Sequence, residues 1–138
     1  MTLEERVEAL RAVPLFEGLD RPSLEAIART ASELEAPPGQ VLIEPRMKGS
    51  GMFVLLEGVA TVDVRGGRAH ELEPGGCFGE LALLTPDGVR TARVRAKTAV
   101  RCLAIGRNDF QEMLLAHPKV ALALLEVVAT RAAARESL

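Results

Sequence analysis

Glu80 and Arg90 are the residues of this chain whose types and spacing could hold an anion together with neighbouring hydroxyl groups. They sit in one stretch: Pro74-Gly75-Gly76-Cys77-Phe78-Gly79-Glu80-Leu81-Ala82-Leu83-Leu84, a Pro86-Asp87-Gly88 turn, then Arg90-Thr91-Ala92-Arg93-Val94. Gly79 lets backbone approach a ligand closely, and a short helical turn opening at Glu80 would aim free N–H groups outward as an anion nest. The Glu80 carboxylate can accept from ribose hydroxyls. Arg90 offers a planar fork that matches phosphate oxygens and keeps its charge. Alone, a glutamate and an arginine across a turn also describe a surface ion pair; the whole pattern is what favours a ligand.

The chemistry implied is recognition. No nucleophile elbow, P-loop or Ser/His/Asp set occurs. His70 and His117 are far apart in sequence, with no His/Glu cluster in the strands, so no metal site is expected. His70 reads as an exposed strand residue and His117 as a helix end. Cys77 and Cys102 form no disulfide framework; Cys102 reads as a small core residue.

The 138 residues suit one domain with one core. Trp and Tyr are absent although 48% of residues are apolar, so that core must be built from Leu, Val, Ile and Ala. A formal net charge of −2 argues against a nucleic-acid surface. The chain shows no run of membrane-span length and no signal peptide, which points to a cytoplasmic setting.

Thr2 with Glu5 is a capping box, and Leu3, Val7 and Leu10 recur at helical spacing until Pro14. Asp20 caps a second helix with Leu24, Ile27, Ala28 and Ala31 on one face, and Pro37-Pro38-Gly39 closes the helical region. Strands are expected from Gln40 onward: Gln40–Glu44, Met52–Leu56, Val59–Arg65 (Ala60, Val62 and Val64 on one side) and Arg68–Glu73. Gly66-Gly67 reads as a hairpin turn. Ala92, Val94 and Ala96 alternate with Arg93, Arg95 and Lys97, and Val100–Ile105 gives the last strand. Asn108 with Gln111 signals a further helix, broken at His117-Pro118. The final helix, Pro118 to Glu136, is apolar nearly all round and needs burial on every side, which suggests a second copy of the chain against it.

The stretch from Phe78 to Val94 resembles the phosphate-binding cassette of the cyclic-nucleotide-binding domain family, of catabolite-activator and kinase regulatory-subunit type. The family pattern is F-G-E-L-A-L followed by R-[TSA]-A-x-V. The segment VPLFEGLDRPSLEAIA resembles the helical opening of the same domains. The resemblance implies that Glu80 binds the ribose 2′-hydroxyl, Arg90 the cyclic phosphate, and the Gly79-Glu80-Leu81-Ala82 backbone completes the cradle. Phe78, Thr91, Ala92 and Val62 complete the ligand set, Thr91 reaching the phosphate or the base, and Arg135 falls near the family's base-contacting positions on the last helix. Arg46-Met47-Lys48-Gly49-Ser50-Gly51 departs from the Gly-Asp pair usual before the MFVLLEG strand, which bears on that turn's geometry rather than on the pocket.

The resulting expectation is an α+β chain with a mainly β core. An antiparallel jelly-roll barrel over residues 40–106 is flanked by N-terminal helices over 1–36 and a C-terminal helix pair over 108–138. It is a sensor for a cyclic nucleotide, cyclic AMP favoured over cyclic GMP, with no cofactor and no catalysis. No helix-turn-helix, kinase or channel domain is expected after the last helix; with the net charge and the lack of a membrane-length run, neither nucleic acid nor membrane is an expected partner, and a homodimer through that helix is. The alternatives are a ligand-free adaptor module retaining the fold and, more remotely, a cupin-like metalloenzyme.

Overall fold

The Thr2 hydroxyl accepts from the Glu5 N–H at 3.1 Å, and the helix it starts, α1 (Leu3–Arg11), turns Val7 and Leu10 inward. The computed structural model describes residues 1–43, 51–64, 69–79 and 92–136; for Val64, Ala92, Arg131 and residues 134–136 the backbone alone is described. A 3-10 turn at Pro14–Phe16 leads to α2 (Arg21–Ala28), capped as the sequence indicates by Asp20, which accepts from the Ser23 N–H at 3.0 Å. Arg21 bridges the two helices, pairing with Glu4 and, at 2.9 Å, with Glu25.

Strands follow at once. β1 (Ala31–Ala36) occupies residues that the sequence assigns to the helical region, with Ala31 on a helix face. The correction has a tertiary cause: six consecutive residues of β1 pair with the last strand, from Ala31 opposite Ile105 to Ala36 opposite Val100. The remaining strands are β2 (Val41–Ile43), β3 (Gly51–Glu57), β4 (Ala60–Val64), β5 (His70–Leu72), β6 (Cys77–Phe78), β7 (Ala92–Ala96) and β8 (Val100–Gly106). They end in α3 (Arg107–Ala116) and α4 (Pro118–Glu136). α3 starts at Arg107 behind Gly106, which makes no side-chain cap, so the expected Asn108 cap is not used.

The expected closed barrel does not form. The strands make two open antiparallel sheets of four, ordered β1-β8-β3-β6 (sheet A) and β2-β7-β4-β5 (sheet B), and among the described residues no ladder joins them. Closure requires strands that pair across both sheets; here consecutive strands cross between sheets at tight corners and face each other instead. At one corner the Gly39 N–H donates to the Ala96 carbonyl (2.7 Å) and the Ala96 N–H to Gln40 (2.9 Å). At another the Val59 N–H donates to Thr98 Oγ1 (2.9 Å) and the Lys97 N–H to the Val59 carbonyl (2.9 Å). Gly58 makes that corner with φ +89°, and a Cβ there would overlap the Ala99 carbonyl oxygen.

Alternation along the central strands produces two cores. Met52 and Val54 of β3 and Leu103 and Ile105 of β8 face the helices, joining Leu10, Phe16, Ile27 and Phe110. Leu55 of β3 and Val100 and Cys102 of β8 face sheet B, joining Val62, Val94 and Ala96. The helices therefore cover sheet A alone. α4 bends away from α3 by 112°; no single described helix is long and apolar enough to cross a membrane.

Gly58→Ala is expected to destabilise the fold by about 1–3 kcal/mol, because both the left-handed conformation and the carbonyl contact oppose a side chain. A denaturation midpoint equal to that of the wild type would refute this account of the corner. The Asp20 carboxyl is held below the usual carboxylate range by its hydrogen bonds to Ser23. A lowered folded-state value means that the cap stabilises above the unfolded-state value and is lost as pH falls through the folded one. Wild type and Asp20→Asn should thus differ less in stability in acid than at neutral pH, as read from urea midpoints across pH.

Candidate ligand site between the sheets

Phe78 and Gly79 are where the described chain enters the candidate site. β6 is a short edge strand whose two residues point to opposite faces: Cys77 packs toward the helix-side core and Phe78, 5% exposed, toward the inter-sheet core. Phe78 lies opposite Phe53 of β3, and their rings stack with centroids 5.2 Å apart. The turn that delivers β6 is built from Pro74 and Gly75. Gly75 has φ +96° and the Gly76 N–H donates to the Glu73 carbonyl at 2.9 Å, the arrangement a Pro-Gly type II turn requires. The same turn is stitched to β3, Gly75 donating to the Leu55 carbonyl and Leu55 to that of Gly76, each at 2.8 Å. Gly79 then takes φ +81°, the left-handed region where glycine carries no Cβ penalty.

The chain leaves sheet A at Gly79 and is back in sheet B at Ala92, opposite Val64 of β4. Val62, 7% exposed, sits one inward position along β4, between Val94 of β7 and His70 of β5. Val62 and Phe78 thus come from different sheets into one apolar cluster, with Val94, Leu55 and Cys102. Of the other residues singled out in the sequence, Glu80, Leu81, Ala82, Arg90 and Thr91 lie outside the described residues, as do the Gly66-Gly67 and Pro86-Asp87-Gly88 turns and residues 46–50. Arg135 belongs to α4, with its side chain outside them.

The charges of β7 do not enter this space. Arg93, Arg95 and Lys97 line the outer face of sheet B, Arg93 opposite Asp63 and Lys97 paired with Glu71. Inside, Cys102 is fully buried, and burial pushes its thiol up to about 11, so it is a packing residue rather than a nucleophile. Cys77 and Cys102 are both free thiols. Among the described residues no cluster of three His, Cys, Asp or Glu could hold a metal ion. Among the described residues, surface concavities lie elsewhere: one of about 440 Å³ beside Glu35, Glu57 and Arg101, and one of about 420 Å³ between Leu19 and Val127.

Two residues of this space escape a reading of the sequence. Phe53 falls in a run, Met52–Leu56, that is apolar at every position, so period-two alternation does not reveal which side chains face which layer. His70 is an exposed strand residue, as expected; what the sequence does not show is its register opposite Val62, a long-range property.

A cyclic nucleotide-binding domain model matches residues 33–117, which enclose the whole 77–94 stretch. The chain is 35% identical over 114 residues to a cyclic nucleotide-gated potassium channel of Mesorhizobium japonicum, covering 83% of this chain and 31% of the channel. It is 33% identical over 121 residues to the mouse potassium/sodium hyperpolarization-activated cyclic nucleotide-gated channel 2, covering 87% of this chain and 14% of that one. It therefore spans about a third or less of these relatives. Among solved structures, the N-terminal domain of a transcriptional regulator from Streptomyces coelicolor A3(2) superposes with a TM-score of 0.82 at 34% identity, over 94% of this chain and 95% of the other. The helices-on-sheet arrangement, the Phe78-Gly79 approach and the matched region agree: the chain belongs to the cyclic nucleotide-binding domain family.

Proposed function

We propose that this domain senses cyclic AMP, in preference to cyclic GMP, holding it at the inter-sheet space by the 77–94 stretch. Glu80 receives the ribose 2′-hydroxyl, Arg90 and the Gly79–Ala82 amides receive the cyclic phosphate, and Phe78, Val62 and Ala92 supply apolar walls. Thr91 reaches the phosphate or the base. The observation that carries the reading is the anchoring of both ends of that stretch: Phe78 and Ala92 belong to strands of opposite sheets that enclose one apolar interior. Two relatives named as cyclic nucleotide-gated channels support the ligand class. The choice of cyclic AMP rests on the VRAKTA sequence after the cassette. A cytoplasmic setting fits the two free thiols.

Arg90→Ala is expected to weaken cyclic AMP by roughly 2–5 kcal/mol, about 30-fold to several thousand-fold in Kd, since it leaves a desolvated anion unpaired. Calorimetry decides it: equal affinity for wild type and variant removes Arg90 from the phosphate. Cyclic GMP binding more tightly than cyclic AMP would reverse the ligand preference.

The output surface in this reading is α4, used by a second copy of the chain. Val120 and Leu124 are buried, whereas Leu122 and Leu125 are 62% and 63% exposed and Val128 40%. Large apolar side chains in a stripe along a helix of about 28 Å are a contact face waiting for cover. Leu122→Glu with Leu125→Glu should convert a dimer to a monomer in sedimentation equilibrium; an unchanged mass would refute the interface. Truncation from Arg135 onward tests whether α4 also covers the base: affinity falls if Arg135 does so and stays constant if the helix serves the dimer alone.

A further inference from the structure

The inner face of sheet B carries one residue that does not belong in an apolar core. Ile43, Ala60, Val62, Leu72, Val94 and Ala96 are the other described side chains on that face, and every one is apolar. His70 is the exception. Directly opposed residues of an antiparallel pair put their side chains on the same face, about 5 Å apart. His70 is the partner of Val62, and Leu72, two residues on, is the partner of Ala60. Since Ala60 and Val62 are buried toward sheet A, His70 shares their face. It stays exposed because β5 is the edge strand of sheet B.

We infer that His70 is a base-contacting, specificity-determining residue: its imidazole meets the polar edge of the purine while Val62, Leu72 and the Phe53–Phe78 pair take the faces of the ring. The inference rests on the cyclic-nucleotide reading above and names a residue of that same space. Position supports it. His70 lies in the cross-strand row Val94–Val62–His70, next to the row in which Ala92 returns from the cassette opposite Val64. Chemistry supports it as well. A neutral imidazole presents one donor and one acceptor, as a purine edge does, and the His70 ring makes no hydrogen bond or ion pair to another described residue. A planar ligand with apolar faces and a polar rim suits a sheet face whose described side chains are apolar except at one rim position.

Calorimetry on the full chain tests this with cyclic AMP and with ribose 3′,5′-cyclic phosphate, which keeps the sugar and phosphate but has no base; the second is read by competition at millimolar concentration. His70→Leu should weaken cyclic AMP about tenfold and leave the baseless ligand unchanged, and His70→Gln, which keeps a donor and an acceptor, should recover most of the loss. Melting curves that coincide with wild type are expected, because the ring is exposed in the free protein. Equal losses for both ligands, or no loss for either, would overturn the assignment of His70 while leaving the cyclic-nucleotide reading intact. A folded wild type that binds no cyclic nucleotide would overturn that reading and this one with it.

Discussion

The pairing of β3 with β8, buried on both faces, holds the two cores of the molecule in place. Their ladder runs from Gly51 opposite Gly106 to Leu55 opposite Cys102, then slips between Leu55 and Glu57. Because side chains alternate along each strand, one ladder supplies the floor of two different cores. Met52, Val54, Leu103 and Ile105 carry the helices, while Leu55, Val100 and Cys102 carry sheet B. The contact is close enough that a Cβ on Gly51 would overlap the Ile105 carbonyl oxygen. A one-residue slip in this pairing would exchange the two cores, so the register is held from both sides.

That double burial sets the geometry of the ligand space. Sheet B has helices on neither face, so its outer side is the charged row of β7, and its inner side is the only one available for apolar packing. The 77–94 stretch begins on sheet A and ends on sheet B, so its two ends are set by two layers that pack on each other. Rigid strands placing the two ends of a loop are a better frame for a precise contact than the loop itself. Outside this frame is α4, in which Val120 and Leu124 are buried while Leu122, Leu125 and Val128, interleaved with them, stand exposed.

Electrostatics outside the ligand space is mostly local stitching. Arg21 clamps α1 to α2 through Glu4 and Glu25, and Arg101 pairs with Glu57 across the β8–β3 ladder and approaches Glu33 of β1 at 3.9 Å. The Met1 amino group closes on Glu33 at 2.7 Å. Exposed pairs of this kind contribute little stability each; their value is that they fix the order of neighbouring elements around the cores.

Elements whose signals are local are legible in the residues alone. The Thr2 and Asp20 caps, the Pro-Gly turn at Pro74-Gly75, the alternation of β7 and the break at His117-Pro118 all follow from bonds within a few residues, and each occurs where its residues indicate. The family was legible for the same reason, since F-G-E-L-A-L and R-T-A-R-V are contiguous words. Tertiary structure alone decided that Ala31–Ala36 is a strand, because its partner lies some seventy residues away in β8 and its own alternation, with Glu33 and Glu35 among Ala31, Leu34 and Ala36, is too weak to announce it. It also decided that the sheets stay open rather than closing into a barrel, since closure depends on which edges find partners, and no periodicity within a strand encodes that. The inward turn of His70 belongs to the same class: the residue is polar and its strand short, and only the register with Val62 determines which face it occupies.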